Sequence, residues 1–427
     1  MLAIFLGVFV FFMIVGVPVV FAMGGTALVT SVILWGFAGV PLNILVQQTV
    51  AGLNNFAQLA IPVFLFAGQL MNTGGITDRI FKFCQSLVGH WPGGLGHVNV
   101  MASVIFSGMS GTAAADAGGL GMMEIKAMRD QGFDMEFSAA ITGASSLIGP
   151  IIPPSVPMVM YGCLAGVSVT SLFIGGLLPG LLMALGMSIM VAVYAIKRNY
   201  PRSEKQPMSV RWQSFVQAFP SLMTPVIIIG GIWSGIFTPT EAAAVAVLYA
   251  FILIIFVYRE LSFKQFVQAA KNCVIDSAAV LGIIAFVKVY GYVLTRTQLP
   301  MKLAAAVFTI TTNPVLIVLL LIGFLLIIGC FMSTMESITL FTPIFLPMLT
   351  ACGVDLIVFG VIMVLTLMIG QLTPPFGIVL FVITKISGLE MMDLVKAALP
   401  FAIPVLIVTI MIVFVPQIVT FLPGLIG

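Results

Sequence analysis

Gly149-Pro150-Ile151-Ile152-Pro153-Pro154 and Gly370-Gln371-Leu372-Thr373-Pro374-Pro375 are two copies of one string, Gly-x-x-x-Pro-Pro, each set inside an apolar run long enough to cross a bilayer. A proline pair removes backbone donors and its rings forbid a continuous helix. A span carrying such a pair must break. Broken backbone at membrane depth is tolerated only where it is buried in protein or lines a cavity, so each string marks a candidate binding site.

The surrounding composition agrees. The chain has 427 residues, of which 61% are hydrophobic and 7% charged, with a mean hydropathy of +1.22. No soluble globular domain approaches these values, and a polytopic membrane protein of all-α class is expected. The first basic residue is Arg79, so the apolar amino terminus lacks the basic start of a cleaved signal and reads as a retained span. Five cysteines scattered through apolar sequence, with no Cys-x-x-Cys, argue against a disulfide framework or a metal centre. No cofactor and no nucleic-acid partner are expected; the lipid bilayer is the first partner.

Apolar segments of ~20 residues read as crossings and shorter ones as re-entrant or interfacial pieces. Two spans flank Pro18, an interfacial stretch covers about 40–56, and a further span covers about 57–73. A surface helix then carries Asp78, Arg79 and Lys82. The next apolar arm starts at His97 and is interrupted at 107–112, and its return arm soon reaches Glu124, Lys126 and Arg129. That pattern predicts a re-entrant hairpin with its tip near 107–112. The broken span at 149–154 and a last span follow. The polar stretch 197–219 reads as a cytoplasmic linker between a first repeat, 1–196, and a second, 220–427, whose elements come in the same order. There the interfacial arm holds Lys264 and Lys271, a span covers about 274–294, the hairpin tip lies near 329–334, and the span is broken at 370–375.

One offset relates the halves. Pro18 and Pro239, Gly108 and Gly329, Thr112 and Ser333, Gly149 and Gly370, Pro154 and Pro375, and Pro179 and Pro400 each stand 221 residues apart. Five crossings plus a hairpin per half is an odd number, which predicts that the second repeat is inverted relative to the first. With the linker inside, 14 of the 17 basic residues fall on the inner side. Arg296 and Lys302 fall outside, and Lys288 within a span. The positive-inside rule then predicts both termini on the outer face.

Four interruptions are expected to converge: two tips and two breaks. Half-helix amino termini attract anions, while freed carbonyls and hydroxyls suit a hard cation such as sodium. The oxygen-bearing candidates are Ser107, Ser110, Thr112, Ser145 and Ser146 in the first half and Ser333, Thr334, Ser337 and Thr373 in the second. Asp116 and Glu336, just past the tips, are costly in a bilayer and are candidate coupling acids, or else complements to the positive start of each return arm. The substrate is expected between the two broken strings, against Thr112, Pro154, Ser155, Ser333, Thr334 and Pro375. Gly108-Met109-Ser110-Gly111 also matches the Gly-x-Ser-Gly of intramembrane serine proteases, with His90 or His97 as the required base. A protease does not account for the duplication.

Ser107-Gly-Met-Ser-Gly-Thr-Ala-Ala-Ala-Asp116, Leu147-Ile-Gly-Pro-Ile-Ile-Pro-Pro-Ser155, Phe237-Thr-Pro-Thr-Glu-Ala-Ala-Ala244 and the second Gly-x-x-x-Pro-Pro string together resemble the large membrane subunit, DctM type, of tripartite ATP-independent periplasmic (TRAP) transporters. Within that family the chain is most similar to the sialic-acid members. The resemblance implies an elevator-type importer of the bacterial inner membrane, coupled to sodium. It implies a small membrane subunit of DctQ or SiaQ kind and a periplasmic binding protein that delivers an organic acid, sialic acid or a C4-dicarboxylate-like anion. It also implies sodium sites between each tip and its adjacent break. Here these are Ser107, Gly108, Ser110, Gly111 and Thr112 with Gly149 and Pro150, and Gly329, Ser333 and Thr334 with Gly370 and Thr373. A stand-alone proton- or sodium-coupled carboxylate carrier is the alternative.

Overall fold

The computed structural model describes residues 2–425 apart from Phe376. The first half runs α1 (Leu2–Ile14), α2 (Val19–Trp35), α3 (Leu42–Leu53), α4 (Ala60–Thr73), α5 (Ile76–Val88), α6 (Gly94–Ser110), α7 (Ala113–Gly119), α8 (Gly121–Asp130), α9 (Met135–Ser145), α10 (Val156–Ala165) and α11 (Val169–Arg198). The second half runs α12 (Met208–Trp233), α13 (Pro239–Ile252), α14 (Phe263–Arg296), α15 (Leu299–Ile310), α16 (Pro314–Phe331), α17 (Thr334–Ala351), α18 (Leu356–Gly370), α19 (Ile378–Ser387), α20 (Met391–Ala398), α21 (Ala402–Phe414) and α22 (Gln417–Gly424). Among the described residues there is no strand, as the all-α reading requires. Seven helices among the described residues are long and apolar enough to cross a membrane by themselves.

Proline, glycine and capping side chains decide where these helices stop and start. Gly111, at φ +67°, ends α6 in a left-handed cap, and Thr112 starts α7 by accepting the Ala115 N–H at 3.3 Å. Ser333 and Glu336 form a capping box at the start of α17, with the Glu336 carboxylate accepting the Ser333 N–H at 3.0 Å. The two hydroxyl-bearing tips are therefore helix caps. The second Gly-x-x-x-Pro-Pro string ends α18 at Gly370, the first follows α9 and a 3₁₀ turn at Ser146–Ile148, and each leaves irregular backbone before the next helix, α10 or α19. The Pro-Pro bond is cis in both.

The shift of 221 residues carries elements onto elements within a few residues: α6 onto α16, α7 with α8 onto α17, α9 onto α18, α10 onto α19. It fails where continuous α11 corresponds to the separate α20, α21 and start of α22, and at one junction on the cavity wall. In the first half Asn54-Asn55 separate α3 from α4, and Asn55 caps a short 3₁₀ turn at Phe56–Leu59. The corresponding stretch of the second half is one 34-residue helix, α14. The interfacial arm and the span expected from 274 to 294 are thus continuous, because neither glycine nor proline interrupts residues 263–281. The polar stretch 197–219 is helical at both ends and irregular only across 200–207, with α12 starting at Met208.

The halves interlock. α7 of the first hairpin packs on α19, and α17 of the second on α10, so each return arm leans on the other half's post-break helix. Around them α2, α3, α4, α13 and α14 pack on one another, with α14 against α2, α3 and α4, and meet the hairpin and post-break helices through α4 on α6 and α10 and α14 on α17.

Candidate functional site

The two tips and two breaks meet at one cavity of about 480 Å³. The first tip contributes Ser110 and Thr112, the first break Pro150 and Val156, the second tip Ser333 and Thr334, and the second break Gln371 and Ile378. The opposite wall is formed by α4, through Gly68, Gln69 and Asn72, and α14, through Asp276, Ala279 and Val280. Asp276 is the single charged residue among these lining groups, and none is basic.

Backbone packs on backbone where tip meets break. Val156 N–H donates to the Gly111 carbonyl at 3.3 Å, and a Cβ at Gly149 would lie 3.4 Å from the Thr112 carbonyl oxygen. In the second half Gly329 and Gly370 lie against each other. Around that contact Thr373 Oγ1 bonds the Ile369 and Gly370 carbonyls at 3.1 Å each, and Gln371 Nε2 donates to Thr334 Oγ1 at 2.8 Å.

The residues singled out in the sequence separate into three groups. Ser110, Thr112, Pro150, Ser333 and Thr334 line the cavity, and buried Ser110 Oγ has no hydrogen-bond partner. Gly108, Gly111, Gly149, Gly329 and Gly370 are packing positions at helix and tip contacts; Gly108, for instance, lies against Pro225 of α12. Ser107, Ser155, Pro154, Pro375 and Thr373 are not among the lining residues. Ser107 Oγ donates to the Val104 carbonyl at 2.6 Å, and Ser155 caps α10 by accepting Met158 N–H at 3.2 Å while donating to the Pro150 carbonyl.

The acids part company. Glu336 is held by its capping box, the local role set out above. Asp116 is 1% exposed, is not among the lining residues of the cavity, and neither carboxylate oxygen has a hydrogen-bond partner. Glu124, expected at the surface end of the return arm, is instead 1% exposed. Asn99 Nδ2 donates to its Oε2 at 2.9 Å and to Thr142 Oγ1 at 2.7 Å, while Ser145 Oγ donates to Asn99 Oδ1 at 2.6 Å and Ser103 Oγ lies 3.1 Å from Ser145 Oγ. Asn99, Ser103 and Thr142 carried no local signal. A polar row on α6 facing polar residues of α9 is legible only once the two helices are paired.

Gln69, Asn72, Asp276 and Gln371 were also missed. Gln69 Nε2 donates to Asp276 Oδ2 at 3.2 Å, tying α4 to α14 at the cavity wall. The available signal was an acid inside an apolar run and a Gln-x-x-Asn pair on one helical face. The serine-protease alternative finds no dyad. His97 lies on the same helix as Ser110, 13 residues away, about 20 Å by helical rise, with its ring edge against Trp91 at 5.3 Å. Among the described residues no cluster of His, Cys, Asp and Glu could hold a metal ion, and the five cysteines are unpaired.

Residues 6–418 match the family model described as tripartite ATP-independent periplasmic transporter, DctM component. The chain is 44% identical over 410 residues to the sialic acid TRAP transporter large permease protein SiaM of Vibrio cholerae, covering 96% of this chain and 95% of that one. It is 42% identical to the sialic acid TRAP transporter permease protein SiaT of Haemophilus influenzae, covering 98% and 67%. It is 33% identical to the 2,3-diketo-L-gulonate TRAP transporter large permease protein YiaN of Escherichia coli, covering 97% of each. In architecture it is similar to the crystal structure of the Alcanivorax borkumensis YdaH transporter, with TM-score 0.63, 15% identity and 88% of each chain covered.

Proposed function

The chain belongs to the DctM component family of tripartite ATP-independent periplasmic transporters, as a large permease, and from that membership we propose that it imports an acidic organic solute driven by sodium. It is a multi-pass membrane transporter component and not an enzyme. Of its two partner components, one is a small membrane subunit of DctQ or SiaQ kind and the other a periplasmic binding protein that delivers the solute. Sialic acid is the first substrate to test, because relatives at 44% and 42% identity carry that name. The membrane is the bacterial inner membrane, with both termini periplasmic as charge placement requires.

One observation carries the reading: both tips and both breaks open onto a single cavity that offers hydroxyls and amides and no basic group. An anion there must be balanced by something other than arginine or lysine. Helix amino termini at Thr112 and Ser333 supply part of that balance, and sodium held by carbonyls between Gly111–Thr112 and Gly149–Pro150, and between Gly329 and Gly370–Thr373, supplies the rest. Two sodium ions with a monoanion carry one net positive charge inward, worth ~2.3 kcal/mol per 100 mV.

The cavity walls come from two helix sets. Tips and post-break helices move as one body past α4 and α14, an elevator built from two inverted repeats. Uptake into proteoliposomes that contain the whole complex tests it. Uptake must require sodium, rise with an inside-negative potential and stop when the binding protein is omitted. Equal uptake in potassium or choline at matched pH would remove sodium coupling, and uptake of free solute would favour a stand-alone carrier.

A further inference from the structure

The central cavity offers an anion no basic side chain, and Asp276 is the one charged group on its lining. Positive charge stands further along the same helix. Lys288 and Arg296 of α14 line a second cavity of about 380 Å³ together with Gln48 and Thr295, and Leu164 of α10 and Pro343 of α17 form its other side. Both basic side chains are exposed, and their Cα atoms are about 12 Å apart along the helix. Among the described residues neither has a carboxylate within ion-pair distance. The Arg296 guanidinium lies 5.3 Å from the Tyr292 ring centroid, which orients it without neutralising it.

The two cavities share a construction. Each lies between α14 with α3 or α4 on one side and hairpin or post-break helices on the other. Asp276 and Lys288 are twelve residues apart, about 18 Å along the axis. A body sliding along α14 would exchange an acidic wall for a basic one.

We propose that the Lys288–Arg296 cavity is an anion subsite that takes the carboxylate of the substrate when the hairpins stand nearer the Arg296 end of α14. The proposal rests on the elevator and topology set out above. In that outer state an ammonium and a guanidinium hold the carboxylate by charge-assisted hydrogen bonds; in the state seen here Asp276 faces it and disfavours it. Differential contact in two states makes affinity high at loading and low at release. An anionic lipid headgroup has the same chemistry and is separated by the test.

The test uses the three-component complex in vesicles of phosphatidylcholine alone, with radiolabelled sialic acid and a sodium gradient. In K288Q/R296Q the apparent KM for substrate-loaded binding protein should rise roughly tenfold, the loss of about one charge-assisted hydrogen bond, with Vmax changed less than about twofold. K288R/R296K should recover most of the affinity. Asp276→Asn should lower Vmax, because release slows. Unchanged KM in K288Q/R296Q alongside active unsubstituted complex overturns the proposal, as does a KM effect that appears only when phosphatidylglycerol is added. Absence of uptake by the unsubstituted complex removes the functional reading, and the proposal with it. Should the double variant melt early, Lys288→Gln alone carries the same comparison.

Discussion

Gly370 presses directly on the backbone of Gly329: a Cβ at Gly329 would stand 3.3 Å from Gly370 Cα, and a Cβ at Gly370 would fall inside contact distance of the Gly329 carbonyl. The second tip and its break meet this closely because Gly370 lacks a side chain. Gly370→Ala is therefore expected to separate them, with an overpacking cost of about 1–3 kcal/mol and loss of sodium-driven uptake. Its partner in the first half is more tolerant. A Cβ at Gly149 would meet the Ser146 carbonyl oxygen at 3.1 Å and the Thr112 carbonyl oxygen at 3.4 Å, which a small shift relieves. Melting curves and initial rates of the two alanine variants check the asymmetry; equal effects would sink it.

Gln371 bonds Thr334 across the second tip and break, and both side chains face the cavity. Thr334→Val removes the acceptor and keeps the shape. The sodium concentration for half-maximal uptake should rise about three- to tenfold, the equivalent of one ordinary hydrogen bond. Sodium titration of uptake at saturating binding protein measures this. An unchanged sodium requirement with altered substrate KM would place Thr334 at the substrate instead.

The register of the halves was legible because helix-stopping residues write it: Pro18 and Pro239, and the two Gly-x-x-x-Pro-Pro strings, recur at one spacing whatever packs around them. The tips were legible only approximately. Ser107 and Gly108 look like a break, yet Ser107 satisfies its hydroxyl on the Val104 carbonyl and α6 continues to Ser110, where left-handed Gly111 stops it. The wall made by α4 and α14 was legible only as isolated polar residues. Gln69, Asn72 and Asp276 sit on regular helices with no turn or cap, and only the pairing of α4 with α14 gives them a shared surface.

Asn99 is the hub of a buried row that joins Glu124, Thr142 and Ser145. Asn99→Leu keeps the branching but puts two larger methyl groups in place of the amide and strands those groups in a dry interior, at about 1–3 kcal/mol for each one left unsatisfied. The melting temperature should fall in both Asn99→Leu and Asn99→Asp, in the second because another carboxyl is set against buried Glu124 where the amide donated. Differential scanning fluorimetry in detergent compares the two, and a leucine variant as stable as the parent would show that water or relaxation replaces the network.

Arg79 of α5 pairs with Glu260, in the loop before α14, at 2.6 Å, and its guanidinium lies 3.9 Å over the Tyr258 ring. The hydrogen bond from Arg79 holds the Glu260 carboxyl below its ordinary range, so the folded protein binds the Glu260 proton more weakly than the unfolded chain does. The pair therefore contributes stability that is fully present above the unfolded carboxylate range near 4.3 and lost as pH falls through the lower folded value. With the Glu260 side chain 42% exposed, solvent screening keeps the contribution below about 1 kcal/mol. Stability of the parent and of Glu260→Gln, followed from pH 7 down to about 2, should converge at the acid end and at high salt. A gap that stays constant across pH would show that Glu260 acts through packing and not through its charge.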